Sequence, residues 1–212
     1  MTNLFGLVLI VSSLLLFSSI PNVHARKKKL PMPEKAPWIE NIYQLGHERV
    51  AELRFYVQDV LGGENSTVYE VARASITPNS PTSFGQVRVL DDLLTTKPDI
   101  NSEKVGRVQG LITSSDLETS ALAMNVNFVF TSGEYNGSTI SVLGRNQIMN
   151  QKRELPVVGG TGKFRYARGY ATASTYSYDA ETNYGVLEYI LHVTYVDEST
   201  TISTGLQPEA SN

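Results

Sequence analysis

Apolar and β-branched residues in this chain recur in short runs at near-alternate positions, and almost nowhere at the spacing of an amphipathic helix. That pattern sets helical architectures aside. The runs fall at 53–60, 68–77, 85–90, 105–114, 122–130, 138–143, 164–176 and 186–195, with a further short run at 155–158. Pro78, Pro81, Gly106, Gly133, Asn136-Gly137 and Asn183-Tyr184-Gly185 punctuate them. Roughly eight strands with short polar turns predict an all-β fold, an antiparallel sandwich or a closed barrel, and closure is favoured because it removes unpaired sheet edges. In the last run Leu187, Tyr189, Leu191, Val193 and Tyr195 share one face, while Val186, Ile190 and Val196 weigh on the other, as in a strand buried on both sides.

The densest stretch is 137–172. It holds a strand ended by Gly144, a second short strand at 155–158, and a third opening at Phe164 with alternating aromatic and basic residues. Gly159, Gly160 and Gly162 are expected to supply backbone angles that residues with a Cβ avoid, with the Thr161 hydroxyl capping the turn.

With 212 residues, 41% hydrophobic and 18% charged, the chain can build one ordinary domain. A net charge of −3 and a pI near 5.7 give no electrostatic basis for binding nucleic acid. There is no cysteine, so disulfides and thiol chemistry are excluded and stability rests on packing and hydrogen bonds. Residues 4–17 are apolar and lead to Val23-His24-Ala25, a signal-peptidase-like site; residues 1–25 are therefore expected to be a cleaved signal peptide and the protein to be secreted. No Lys or Arg precedes the run and Arg26-Lys27-Lys28-Lys29 follows it, an order that also suits a signal anchor. The run is short of the roughly 20 residues a span needs, so stable membrane insertion is not expected. Residues 26–50, with Pro31, Pro33 and Pro37, read as an extended lead-in, 51–197 as the folded domain, and 198–212 as a flexible tail. The sequons at Asn65 and Asn136 fall at predicted turns and are expected to carry glycans.

Few residue patterns carry chemistry. His47 and His192 lack the carboxylate cluster that a metal site needs, so no metal and no cofactor is expected. The run 159–163 fails as a phosphate loop because Val157 and Phe164 occupy positions that require glycine and a hydroxyl. Asp59 is the leading candidate: it shares a strand face with Phe55, Val57 and Leu61, so on an interior face its carboxylate would be desolvated, with a raised pKa suited to proton transfer. On the rim it would merely cap the turn at Gly62-Gly63.

Several ordered blocks resemble the plant dirigent family: FYVQDVLGG at 55–63, ITPNSPTSFGQVRVLDDLLT at 76–95, VGRVQG at 105–110, GSTISVLGRN at 137–146, RELPVVGGTG at 153–162 and FRYARGYA at 164–171. The resemblance implies an eight-stranded antiparallel β-barrel that assembles as a homo-oligomer, dimer or trimer, and takes a small phenolic substrate. It places Asp59, Arg153 and Thr175 among the catalytic pocket groups, with Asn146, Ile112 and Ser114 as further pocket positions. Arg145 and Arg168 also match the family. The chain departs from lignan-directing members in lacking their cysteine pair, in having Asn146 where they place a second aspartate, and in having Ile112 and Ser114 where they place tyrosines. The expectation that follows is an apoplastic, cell-wall-facing protein that orients phenolic radicals made by a separate oxidase such as a laccase or peroxidase. The alternatives are a dehydratase resembling pterocarpan synthase, with Asp59 as its acid, and a cell-wall structural or defence protein.

Overall fold

The computed structural model describes residues 46–197. The expectations for the signal peptide, for residues 26–45 of the lead-in and for the tail at 198–212 lie outside the described residues. Nine strands follow one another: β1 (Glu48–Val60), β2 (Val68–Ala72), β3 (Val87–Thr95), β4 (Lys104–Ser114), β5 (Ala121–Phe130), β6 (Thr139–Gln147), β7 (Arg153–Thr161), β8 (Arg168–Asp179) and β9 (Tyr184–Val196). From β3 to β9 each strand pairs antiparallel with the next; β9 then pairs along all of β1, and β1 meets β3 through Tyr56, Val57 and Gln58. Eight strands thus close into an antiparallel barrel, and the short β2 adds to the outer part of β3.

Pairing corrects several sequence-based boundaries. β1 begins at Glu48, before the predicted domain start, because residues 48–51 pair with the end of β9 even though Glu48, Arg49 and Val50 face solvent. The strand predicted over 68–77 stops at Ala72, after a register shift, and Thr77 instead opens a 3-10 turn in which its hydroxyl donates to the Phe84 carbonyl at 2.8 Å. β3 runs past residue 90 to Thr95, through Asp91 and Asp92.

The turn after β7 differs most. Phe164 does not open a strand: Gly162–Phe164 form a 3-10 turn, and the Phe164 ring is fully buried. Gly162 has φ +61°, and at Gly160 a Cβ would lie 2.6 Å from the Thr139 carbonyl oxygen, whereas Gly159 has open space and an ordinary backbone. The Thr161 hydroxyl is no cap; it pairs with the Thr139 hydroxyl at 2.7 Å.

This turn closes one end of the barrel. Phe164 packs its ring 4.7 Å from Tyr135, 5.4 Å from Tyr195 and 5.5 Å from Phe130, and Phe55 continues the cluster to Phe128 at 5.2 Å. Above it, small residues stand beside large ones: Ala171 is the cross-strand partner of Leu191 and Ala173 of Tyr189, which suits the narrowing barrel interior. The inner face of β9 is buried at Tyr189, Leu191 and Val193; on the other face Val186 and Val196 are buried, but Ile190 lies half-buried among Glu188, His192 and Thr194, so the strand is not buried on both sides along its length as its pattern predicts. The β1–β3 seam is held by Gln58, only 1% exposed, whose Nε2 donates to Thr95 Oγ1 at 2.7 Å while Tyr184 donates to its Oε1.

Candidate active site

The other end of the barrel is not filled. A cavity of about 480 Å³ is walled by Val57, Leu90, Val108, Ile112, Leu122 and Met124 and floored by Tyr189. It reaches solvent past Met149 and Tyr178, both well exposed. Asp59, Arg88, Asp92, Asn146, Arg153 and Thr175 bring polar groups into it.

Strand alternation puts Asp59 on the inner face with Phe55 and Val57, and its partner in β9 is Gly185, which carries no side chain to cover it. The interior reading therefore holds over the rim-cap reading. Burial raises its pKa to about 6, against the pull of the Arg88 charge. Asp92, 3% exposed, sits on the inner face of β3 between Leu90 and Leu94. Burial and, second, the charge on Asp59 raise its pKa to about 8, although the Thr67 hydroxyl donates to its Oδ1. Tyr189 is raised to about 12 by burial, so its phenol is neutral at physiological pH.

The two arginines differ in what holds them. Arg153 is 6% exposed and held at all three nitrogens: Nε donates to the Ala173 carbonyl, one terminal nitrogen to the Ile148 carbonyl and the other to the Thr175 hydroxyl at 3.3 Å. Arg88, half-buried on β3, has no partner for its Nε among the described residues, and burial lowers its pKa. Asn146, 5% exposed, has its Nδ2 against the Met124 sulfur at 3.7 Å and its Oδ1 unpartnered.

Asp59, Arg153, Thr175, Asn146 and Ile112 are thus brought together at one cavity, with Thr175 at its exposed rim. Ser114 is not: it is buried, but its backbone is tied to Gly85 and Gln86 and it does not line the cavity. Asp92 and Arg88 escaped the sequence reading. The signal was the alternation Arg88, Leu90, Asp92, Leu94, but the predicted strand ended at residue 90 because aspartates are depleted in strands. A bulge in β8 between Thr175 and Ser177 likewise shifts the alternation by one and turns Tyr178 toward the cavity.

The remaining candidates lie elsewhere. Asn65 and Asn136 are both exposed in turns. Arg145 pairs with Asp116 and Arg168 with Glu48, each at 2.7 Å on the outer surface. His192 stacks on Tyr170 at 4.6 Å, with Nδ1 3.5 Å from Glu52. Among the described residues no group of three or more metal-ligating side chains comes together.

A closed barrel plugged by aromatics at one end opens at the other into an apolar chamber with a few convergent polar groups, a form suited to a small molecule. Residues 50–194 match the family model for dirigent-like proteins, and the chain belongs to the dirigent family. Dirigent protein 23 of Arabidopsis thaliana is 45% identical over 152 residues, covering 72% of this chain and 81% of that protein. Pterocarpan synthase 1 of Glycine max is 42% identical over 149 residues, 70% of this chain and 80% of that protein. The solved structure of the pterocarpan synthase dirigent protein GePTS1 superposes with a TM-score of 0.68 at 39% identity, covering 73% of this chain and 94% of that one.

Proposed function

We propose that the chamber takes a phenolic alcohol and closes a ring in it by acid-assisted loss of water, the reading in which the chain acts like its pterocarpan synthase relatives. One observation carries it: two carboxyl groups share the same apolar cavity with pKa values of about 8 and about 6, so at neutral pH one is a proton donor and the other a proton acceptor. Asp92 gives its proton to the departing hydroxyl, whose C–O bond breaks to release water. Asp59 takes the proton of a ring phenol, and the freed electron pair forms the quinone methide. A second phenol oxygen of the same molecule then adds to the electrophilic carbon and gives its proton to Asp92, while Asp59 returns its proton to the quinone oxygen, which becomes a phenol again. The net change is loss of one water, with no oxidant or reductant. The earlier expectation of a single acid gives way to a pair, because Asp92 supplies from β3 the second carboxylate that is missing at Asn146.

Orientation of phenolic radicals made by a separate oxidase would use the same apolar walls, and one assay separates the two. Incubation with an isoflavanol alone is expected to give ring-closed product of one handedness, read on a chiral column. Selectivity appearing only with coniferyl alcohol plus a one-electron oxidant would replace ring closure with radical orientation, and neither outcome would leave a wall protein. Secretion to the apoplast is supported by the apolar run and cleavage-like site at 4–25, and glycosylation by the exposure of Asn65 and Asn136. Homo-oligomer formation is supported by Leu111, Leu143 and Val158, each exposed on the outer wall. A glycosidase mobility shift and light scattering of the secreted protein test these.

A further inference from the structure

Two residues that line the cavity each carry a buried polar atom with no partner, and the two atoms are of opposite kind. Arg88 Nε is a donor without an acceptor and Asn146 Oδ1 an acceptor without a donor. Such atoms are costly in an apolar enclosure and are expected to be satisfied when the enclosure is filled. Arg88 lies on β3 and Asn146 on β6, three strands away around the eight-stranded wall, so a molecule between them meets a cation on one side and an amide oxygen on the other.

Arg153 is tied to the wall by one hydrogen bond from each of its nitrogens, to Ala173, Ile148 and Thr175, whereas the Arg88 Nε is held by none. Glu70, the cross-strand neighbour of Arg88, is itself held by Arg73 through both carboxylate oxygens and by Gln86 at 2.7 Å. Asp59 on β1 acts on Arg88 through its charge. The other ionisable groups lining the chamber are Asp92 on β3, Arg153 on β7, and Tyr178 and Tyr189 on β8 and β9.

We propose that Arg88 is the oxyanion-binding residue of this chamber, its guanidinium donating to a phenolic oxygen of the substrate and holding it as the phenolate, while Asn146 meets a hydroxyl at the far side. This rests on the phenolic reading above. The phenol O–H bond breaks, the proton passes to the Asp59 carboxylate, and the oxygen keeps the electron pair opposite the guanidinium until the departing hydroxyl draws it into the ring. The substrate class is accordingly a phenol with a second hydroxyl toward the opposite wall, spanning the chamber.

The sign of one pKa shift tests this. 7-Hydroxycoumarin is a phenol whose excitation spectrum separates its neutral and ionised forms, and 7-methoxycoumarin is its non-ionising control. Burial alone raises the ionisation midpoint of a bound phenol; a facing guanidinium lowers it. With the full chain the bound probe is expected to ionise at lower pH than the free probe. Arg88→Gln should raise the bound midpoint by about one pH unit or more, and Arg88→Lys should keep it near the wild-type position. A wild-type midpoint above that of the free probe overturns the assignment whether or not Arg88→Gln folds. An unchanged midpoint in a folded Arg88→Gln overturns it too. In both cases, binding of 7-methoxycoumarin leaves the phenolic chamber standing. If neither coumarin binds, both readings fall.

Discussion

Burial raises both cavity acids, and the charge on Asp59 raises Asp92 further, so Asp92 keeps its proton to higher pH than Asp59. Ring closure needs Asp59 ionised and Asp92 protonated, so its rate should fall below about pH 6 and above about pH 8, with a maximum between. Asp92→Asn should cost on the order of 100-fold in rate and remove the alkaline limb. Asp59→Asn should remove the acid limb and also move the alkaline limb to lower pH, because the charge that helps hold the Asp92 proton is gone. A pH–rate profile of residual activity in Asp59→Asn whose alkaline limb stays in place would show that the two groups are not coupled.

Among the elements, the β7 turn shows most clearly what a glycine run conceals. Gly160→Ala should destabilise by at least about 2 kcal/mol, since its methyl group would collide with backbone from both Thr139 and Phe164. Gly159→Ala should stay within about 0.5 kcal/mol, having no atom within 4 Å to meet. Phe164→Ala should cost about 3–5 kcal/mol, because the ring it removes touches three others in the aromatic plug. Thermal melts of the three variants check the ranking, and equal effects at Gly159 and Gly160 would contradict it. The strand alternation is legible in sequence because most inner faces are apolar over several residues, as in β9, but alternation alone suits a sandwich as well as a barrel, and it was the family resemblance that implied closure. Asp59 was legible for the same reason, lying in phase with Phe55 and Val57. Local pattern could not reveal that Phe164 leaves its strand to plug the barrel, or that a bulge re-aims Tyr178. Both depend on partners distant in sequence. Asp92 was missed because a buried carboxyl breaks the rule used to find strands.

For the molecule as a whole, the same acids place a cost on folding that the outer surface does not share. Asp59 and Asp92 have folded pKa values of about 6 and about 8 against an ordinary 3.8, so between those limits the folded state binds more protons than the unfolded chain. As far as these two groups go, stability is therefore full at and below about pH 4, falls from there to about pH 8, most steeply below pH 6 where both groups contribute, and levels off above. Exposed carboxylates act in another window: Asp116, held low by the Arg145 hydrogen bond, and Glu70 and Asp179 lose their stabilising contacts only as the pH drops below about 4. At a linkage of about 1.4 kcal/mol per pH unit per proton, the buried acids amount to several kcal/mol between pH 5 and 9. The midpoint temperature of the wild-type protein should therefore drop over that range, whereas Asp59→Asn/Asp92→Asn should hold nearly constant and exceed it at pH 9. A double variant no more stable than wild type at pH 9 would mean that the carboxylates are hydrated in the empty chamber, and that the proton-donor role assigned to Asp92 has no physical basis.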